Sequence, residues 1–61
     1  MYALFANYYD YHRQNEVYTG KNLTDLETAV SAAQIALTEN EYYKSITVVL
    51  NNSDVQTVNR N

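Results

Sequence analysis

The sequence predicts an α+β domain, in which two β-hairpins form one antiparallel sheet (ββαββ) and a single helix packs on one face. Three observations carry this expectation. One segment in the middle of the chain has a helix-start signature followed by apolar residues at helical spacing. The segments on either side are rich in tyrosine and β-branched residues, which suit a pleated, half-buried surface. Polar turn-forming clusters divide each flanking segment in two. Sixty-one residues are enough for one domain, taken as 1–61, and for a modest core.

Residues 2–11 hold five aromatic rings and no glycine or proline, and read as the first strand. Apolar and aromatic side chains occur at both even positions (Tyr2, Leu4, Ala6, Tyr8) and odd ones (Ala3, Phe5, Tyr9, Tyr11), so neither face of this strand is purely polar. The polar run from His12 to Asn15 turns the chain, and residues 16–19 return as a short strand. Gly20, the one glycine, sits where a positive φ can lead into the helix.

Residues 25–39 are expected to be helical. Thr24-Asp25-Leu26-Glu27 matches a capping box, with the Thr24 hydroxyl accepting from the Glu27 N–H and the Glu27 carboxylate reaching back. Leu26, Val30, Ala33 and Leu37 fall on one stripe at about 100° per residue. Ala29 and Ala36 lie on its edge, Thr28 and Ala32 toward the outside, and Ile35 almost opposite. Asn40 suits the position just past the helix end.

Residues 42–50 form the next strand, with Ile46, Val48 and Leu50 on one face and Ser45, Thr47 and Val49 on the other. Asn51-Asn52-Ser53-Asp54 is a turn by composition. Residues 55–58 return as a short fourth strand, and residues 59–61 are expected to fray.

Composition narrows the function classes. Without cysteine and with a single histidine, neither disulfides nor an ordinary zinc site can supplement a small core. Oligomerisation is the remaining common aid. Four basic residues against seven acidic ones give a formal charge of −3, with no basic run, so nucleic acid is an unfavoured partner. The N-terminal residues lack a signal-peptide pattern, and no apolar stretch is long enough to span a membrane. A cytoplasmic protein is the expectation.

Candidate chemistry is sparse. Asp10 and His12 would share a strand face, with Glu16 near the same hairpin tip. A histidine oriented by a carboxylate is one part of a general base. With no nucleophile, oxyanion donor or metal ligands beside it, the cluster reads better as a solvated turn. Asn22-Leu23-Thr24 and Asn51-Asn52-Ser53 match glycosylation sequons but lack a secretory signal. The 51–54 cluster has too few carboxylates for a calcium loop. No catalytic, cofactor-binding or metal-binding residue is assigned.

The seven tyrosines are the most distinctive feature of the composition. Tyrosine combines large contact area with a polar tip and so suits interfaces. Phe5, Tyr9, Tyr11, Tyr18, Ile35 and Tyr43 are the candidate interaction surface. One helix covers only one sheet face, so a second copy is expected to cover the aromatic remainder as a homodimer. The expected function is that of a small acidic, non-enzymatic binding or inhibitor protein acting on an unknown protein partner. The alternative is a binder of a nucleotide or small signalling molecule at a tyrosine-lined subunit interface, since tyrosine also stacks on bases.

The order of Tyr-rich hairpin, Thr24-Asp25-Leu26-Glu27, Ala-rich helix, Tyr42-Tyr43-Lys44-Ser45-Ile46-Thr47-Val48-Val49 and Asn-rich turn resembles small proteins of phages and mobile elements. That resemblance implies a host-interaction or anti-defence role and identifies no functional residue. The hairpin-to-helix half is also similar to antitoxin domains of the HicB type. The chain lacks the glycine-proline-rich segment usual there and is not assigned to that family.

Overall fold

A computed structural model describes residues 1–10 and 14–60. The order of elements is β1 (Tyr2–Tyr8), β2 (Gln14–Glu16), α1 (Leu26–Glu39), β3 (Tyr43–Leu50) and β4 (Ser53–Asn59). The strands form one antiparallel sheet in the order β2-β1-β3-β4. The helix packs on β1, β3 and β4. This is the ββαββ arrangement that the hydrophobic patterning predicts.

The core lies between the helix and one sheet face. Leu4 and Ala6 from β1, Ile46 and Val48 from β3 and Val58 from β4 are buried there. The helix meets them with Ala29, Ala32, Ala33, Ala36 and Leu37. Leu26 and Val30 are only partly buried against this cluster. The buried stripe is therefore turned toward the alanines, and Ala32, expected on the outside, faces inward. Volume explains the turn. The sheet supplies the large side chains, so the small helix residues bring the helix close, and close packing leaves little empty space. Leu23, just before the helix, is also buried, and its carbonyl accepts from the Tyr2 N–H at 2.8 Å.

The helix start differs from the expected capping box by one residue. Asp25 is the N-cap, with extended φ −133° and ψ 162°, and its side chain accepts from the Thr28 N–H at 2.7 Å. The Ala29 N–H donates to the Asp25 carbonyl at 3.1 Å. Thr24 and Asp25 are both cap-forming residue types, and the cap falls on the one that adjoins the first helical turn.

At the other end, the expected fraying at Arg60 is replaced by a clamp. Its guanidinium donates to the carbonyls of Leu37, Asn40 (2.7 Å) and Tyr43 (2.6 Å from Nη2). Helix C-termini leave carbonyls without intrahelical donors, and Arg60 supplies donors from the far end of the chain. Asn40 accordingly needs no left-handed cap and is extended, with φ −137°.

The strand limits also shift. β1 ends at Tyr8, and the second strand is Gln14–Glu16 in place of residues 16–19. Val17 leaves the strand to pack on the core, although its N–H still donates to the Leu4 carbonyl at 2.8 Å. Gly20 has φ +72°, as its position suggests. The β3–β4 turn needs only two residues, because Asn51 (φ 52°) and Asn52 (φ 64°) both adopt the left-handed conformation that a tight hairpin requires. β4 is consequently longer than its expected 55–58.

Candidate functional site

The structure distributes five of the six residues named above over several surfaces. Tyr11 lies outside the described residues, as does His12 of the considered acid–base cluster. Phe5 is half-buried on the sheet face opposite the helix, paired across strands with Glu16 and Thr47. Tyr9 lies just past the end of β1 and is exposed. Tyr43 faces the helix side and packs against the core. A register shift between β1 and β3 causes this. Asn7 pairs with Ser45 and Tyr8 with Tyr43, leaving Lys44 unpaired in a bulge. The bulge breaks the strict alternation that the sequence suggests. Tyr43 and Tyr8 then meet edge to face, with centroids 5.6 Å apart and planes at 77°.

The uncovered sheet face is more polar than expected. Asn7 donates to the Ser45 and Thr47 hydroxyls, both at 3.0 Å, and accepts from Gln14 Nε2 at 2.8 Å. Ser45 and Thr47 are buried among neighbouring side chains although no helix lies over them. The hydrogen bonds satisfy their polar atoms, as buried groups require. Phe5, Ala3 and Val49 are the apolar remainder on this face, all half-buried.

Tyr18 and Ile35 do come together. Tyr18 is 84 % exposed and Ile35 48 %. Both line a groove of about 250 Å³ between residues 17–21 and the outer edge of the helix. The helix makes no contact with β2, so this edge of the sheet is left open beside it. Ala32 and Ala36 contribute to the groove, and Lys21 and Glu39 provide one charge of each sign. Neither charged side chain has an ion-pair partner among the described residues. Ala32 and Lys21 were not singled out in the sequence. Their contribution depends on the rotation of the helix and on the course of the chain after β2.

A second concavity, about 420 Å³, lies at the end of the sheet where β1 stops and β3 begins. Tyr8, Tyr9, Asp10, Asn40 and Tyr42 line it. Tyr8 is held by the contact with Tyr43 and by Asn15 Nδ2, which donates to its hydroxyl at 2.9 Å. The Tyr42 N–H donates to Asn40 Oδ1 at 3.0 Å. Among the described residues, no three His, Cys, Asp or Glu side chains converge to hold a metal ion.

Asp25 has the one clear perturbation of acidity among the described groups. The Thr28 N–H bonded to its carboxylate holds its pKa below the ordinary value. It caps the helix and is distant in role from either concavity. Among the described residues, no helix is long and apolar enough to cross a membrane.

No protein-family model matches the chain, and no curated protein or solved structure is significantly similar to it.

Proposed function

We propose that this is a small non-enzymatic binding protein that acts through protein–protein contact, and that the Tyr18–Ile35 groove is its contact surface. The observation that supports this reading is the pairing of two large, exposed apolar side chains across one groove floored by alanines. Exposed aromatic and aliphatic groups around a concavity are typical anchors of protein interfaces. The first partner is a second copy of the chain. A groove that carries one lysine and one glutamate is self-complementary under two-fold symmetry, where Lys21 of each copy can meet Glu39 of the other. A host-interaction or anti-defence role, the role implied by the resemblance to phage and mobile-element proteins, would use the same surface or the faces the dimer leaves free.

A charge exchange tests this reading. Lys21→Glu should weaken self-association in a dilution series followed by NMR, and the double exchange Lys21→Glu/Glu39→Lys should restore it. Equal weakening by the single and double variants would exclude the pairing. Absence of any concentration dependence in the unsubstituted protein would exclude the dimer.

A further inference from the structure

We propose that the concavity formed by Tyr8, Tyr9, Asp10, Asn40 and Tyr42 binds an alkylated ammonium group, either a free quaternary amine or a methylated lysine side chain. The proposal shares no lining residue with the Tyr18–Ile35 groove and does not depend on it.

Three tyrosines and one carboxylate around a single opening define the chemistry. Aromatic faces carry negative electrostatic potential, and a cation within about 6 Å of a ring centroid is attracted to it. Alkylated ammonium ions suit such a site best, because their methyl groups lose little hydration and also make apolar contact with the rings. Asp10 sets the sign of the ligand. It has no ion-pair partner among the described residues, and its carboxylate attracts a cation that enters the opening. A nucleotide phosphate placed there would meet the same carboxylate and be repelled. Glu39 and Glu41 flank Asn40 in the chain and add negative field. Of the described cations on this side of the chain, Arg60 is committed to the carbonyls of Leu37, Asn40 and Tyr43 and lines a different concavity, and Lys44, two residues after Tyr42, is not among the described residues that line this one.

The site is partly pre-formed. Tyr8 is fixed by its edge-to-face contact with Tyr43 and its bond from Asn15. Asn40 and Tyr42 are tied by their own hydrogen bond. Tyr9 and Tyr42 are 58 % and 70 % exposed. That exposure leaves both rings able to close on a ligand of a few atoms. The space of about 420 Å³ exceeds what a trimethylammonium head needs, so an attached chain also fits.

The test uses the full chain and NMR titration of the tyrosine rings. The probes are choline, its neutral carbon isostere 3,3-dimethylbutanol, and a short peptide containing trimethyl-lysine. Choline and the peptide should shift the Tyr9 and Tyr42 signals saturably, with Kd of about 1–30 mM for this small, open site. The neutral isostere should not. Tyr42→Leu and Asp10→Asn should each weaken choline about fivefold, while Gln34→Ala leaves it unchanged. Tyr42 and Asp10 are exposed, so both variants should keep the wild-type melting curve, which separates lost binding from lost folding. A tighter peptide than choline would identify the methylated lysine as the source, and the reverse a free amine. Equal shifts with the neutral isostere, no saturation with either cation, or an Asp10→Asn variant that binds choline as well as the parent would overturn the proposal.

Discussion

At the scale of single residues, two polar side chains hold the two ends of the helix. Asp25 accepts from the Thr28 N–H at its start. Asp25→Ala should lower the denaturation midpoint, Asp25→Asn should retain most of it, and Thr24→Ala should leave it unchanged. A larger loss from Thr24→Ala would place the cap one residue earlier. Acidity offers a second readout. The folded-state pKa of Asp25 lies below its ordinary value of 3.8 because the bound N–H favours the charged carboxylate. Its contribution is therefore present above the unfolded pKa and lost as pH falls through the lowered one. The stability difference between the protein and Asp25→Asn should change only in that acid window. Arg60 performs the matching task at the helix end, where it donates to three carbonyls. Arg60→Ala should destabilise by roughly 2 kcal/mol, in the range for hydrogen bonds to a charged group, and Arg60→Lys should recover little, because a single ammonium lacks the planar fork. Urea titration of both variants checks this. The start signal was legible in the sequence to within one residue, since Thr24 and Asp25 are adjacent and both cap helices. The Arg60 clamp was not legible, because nothing local links residue 60 to residue 37.

At the scale of elements, the helix and its two hairpins follow from periodicity, while their faces depend on packing. Leu37, 3 % exposed, lies against a sheet whose centre is Leu4, Ile46 and Val48. Leu37→Ala should cost about 2–5 kcal/mol, with Val48→Ala costing less because it leaves a smaller cavity. Gln34→Ala on the exposed face should be tolerated. The rotation of the helix toward its alanines gives a sharper test. Ala33→Leu should overpack the interface and cost about 1–3 kcal/mol, whereas leucine at an outward position would not. Denaturant midpoints decide between these outcomes. Alanine is weakly hydrophobic, so a stripe read from the larger residues points toward Leu26 and Val30 and misses Ala32. The two bulges were also invisible in the sequence. Lys44 and Val55 look like regular strand residues, and only the ladder shows that they are skipped. On the open face, Asn7→Ala would leave the Ser45 and Thr47 hydroxyls without their donor, at a cost of roughly 1–3 kcal/mol for buried groups left unpaired. The turn was legible as the Asn51–Asp54 cluster, but not its length: two asparagines with positive φ close it, and Ser53 and Asp54 belong to β4.

At the scale of the whole molecule, a chain of 61 residues has a small core built largely from alanine on the helix side. Such a domain gains from burying more surface, and self-association is the available route without cysteine. The sequence located that extra surface on the sheet. The structure shows the sheet face threaded by the Asn7–Ser45–Thr47–Gln14 hydrogen bonds and leaves the large exposed groups Tyr18 and Ile35 at the groove beside the helix. If a dimer forms there, the melting temperature should rise with protein concentration, because association stabilises only the folded chain. Sedimentation equilibrium at tens of micromolar, on the unsubstituted protein and on Tyr18→Ser/Ile35→Ser, tests the contact surface most directly. The account predicts a dimer for the first and a monomer of retained helicity for the second. A monomer in both, or a dimer unaffected by the two substitutions, would contradict it.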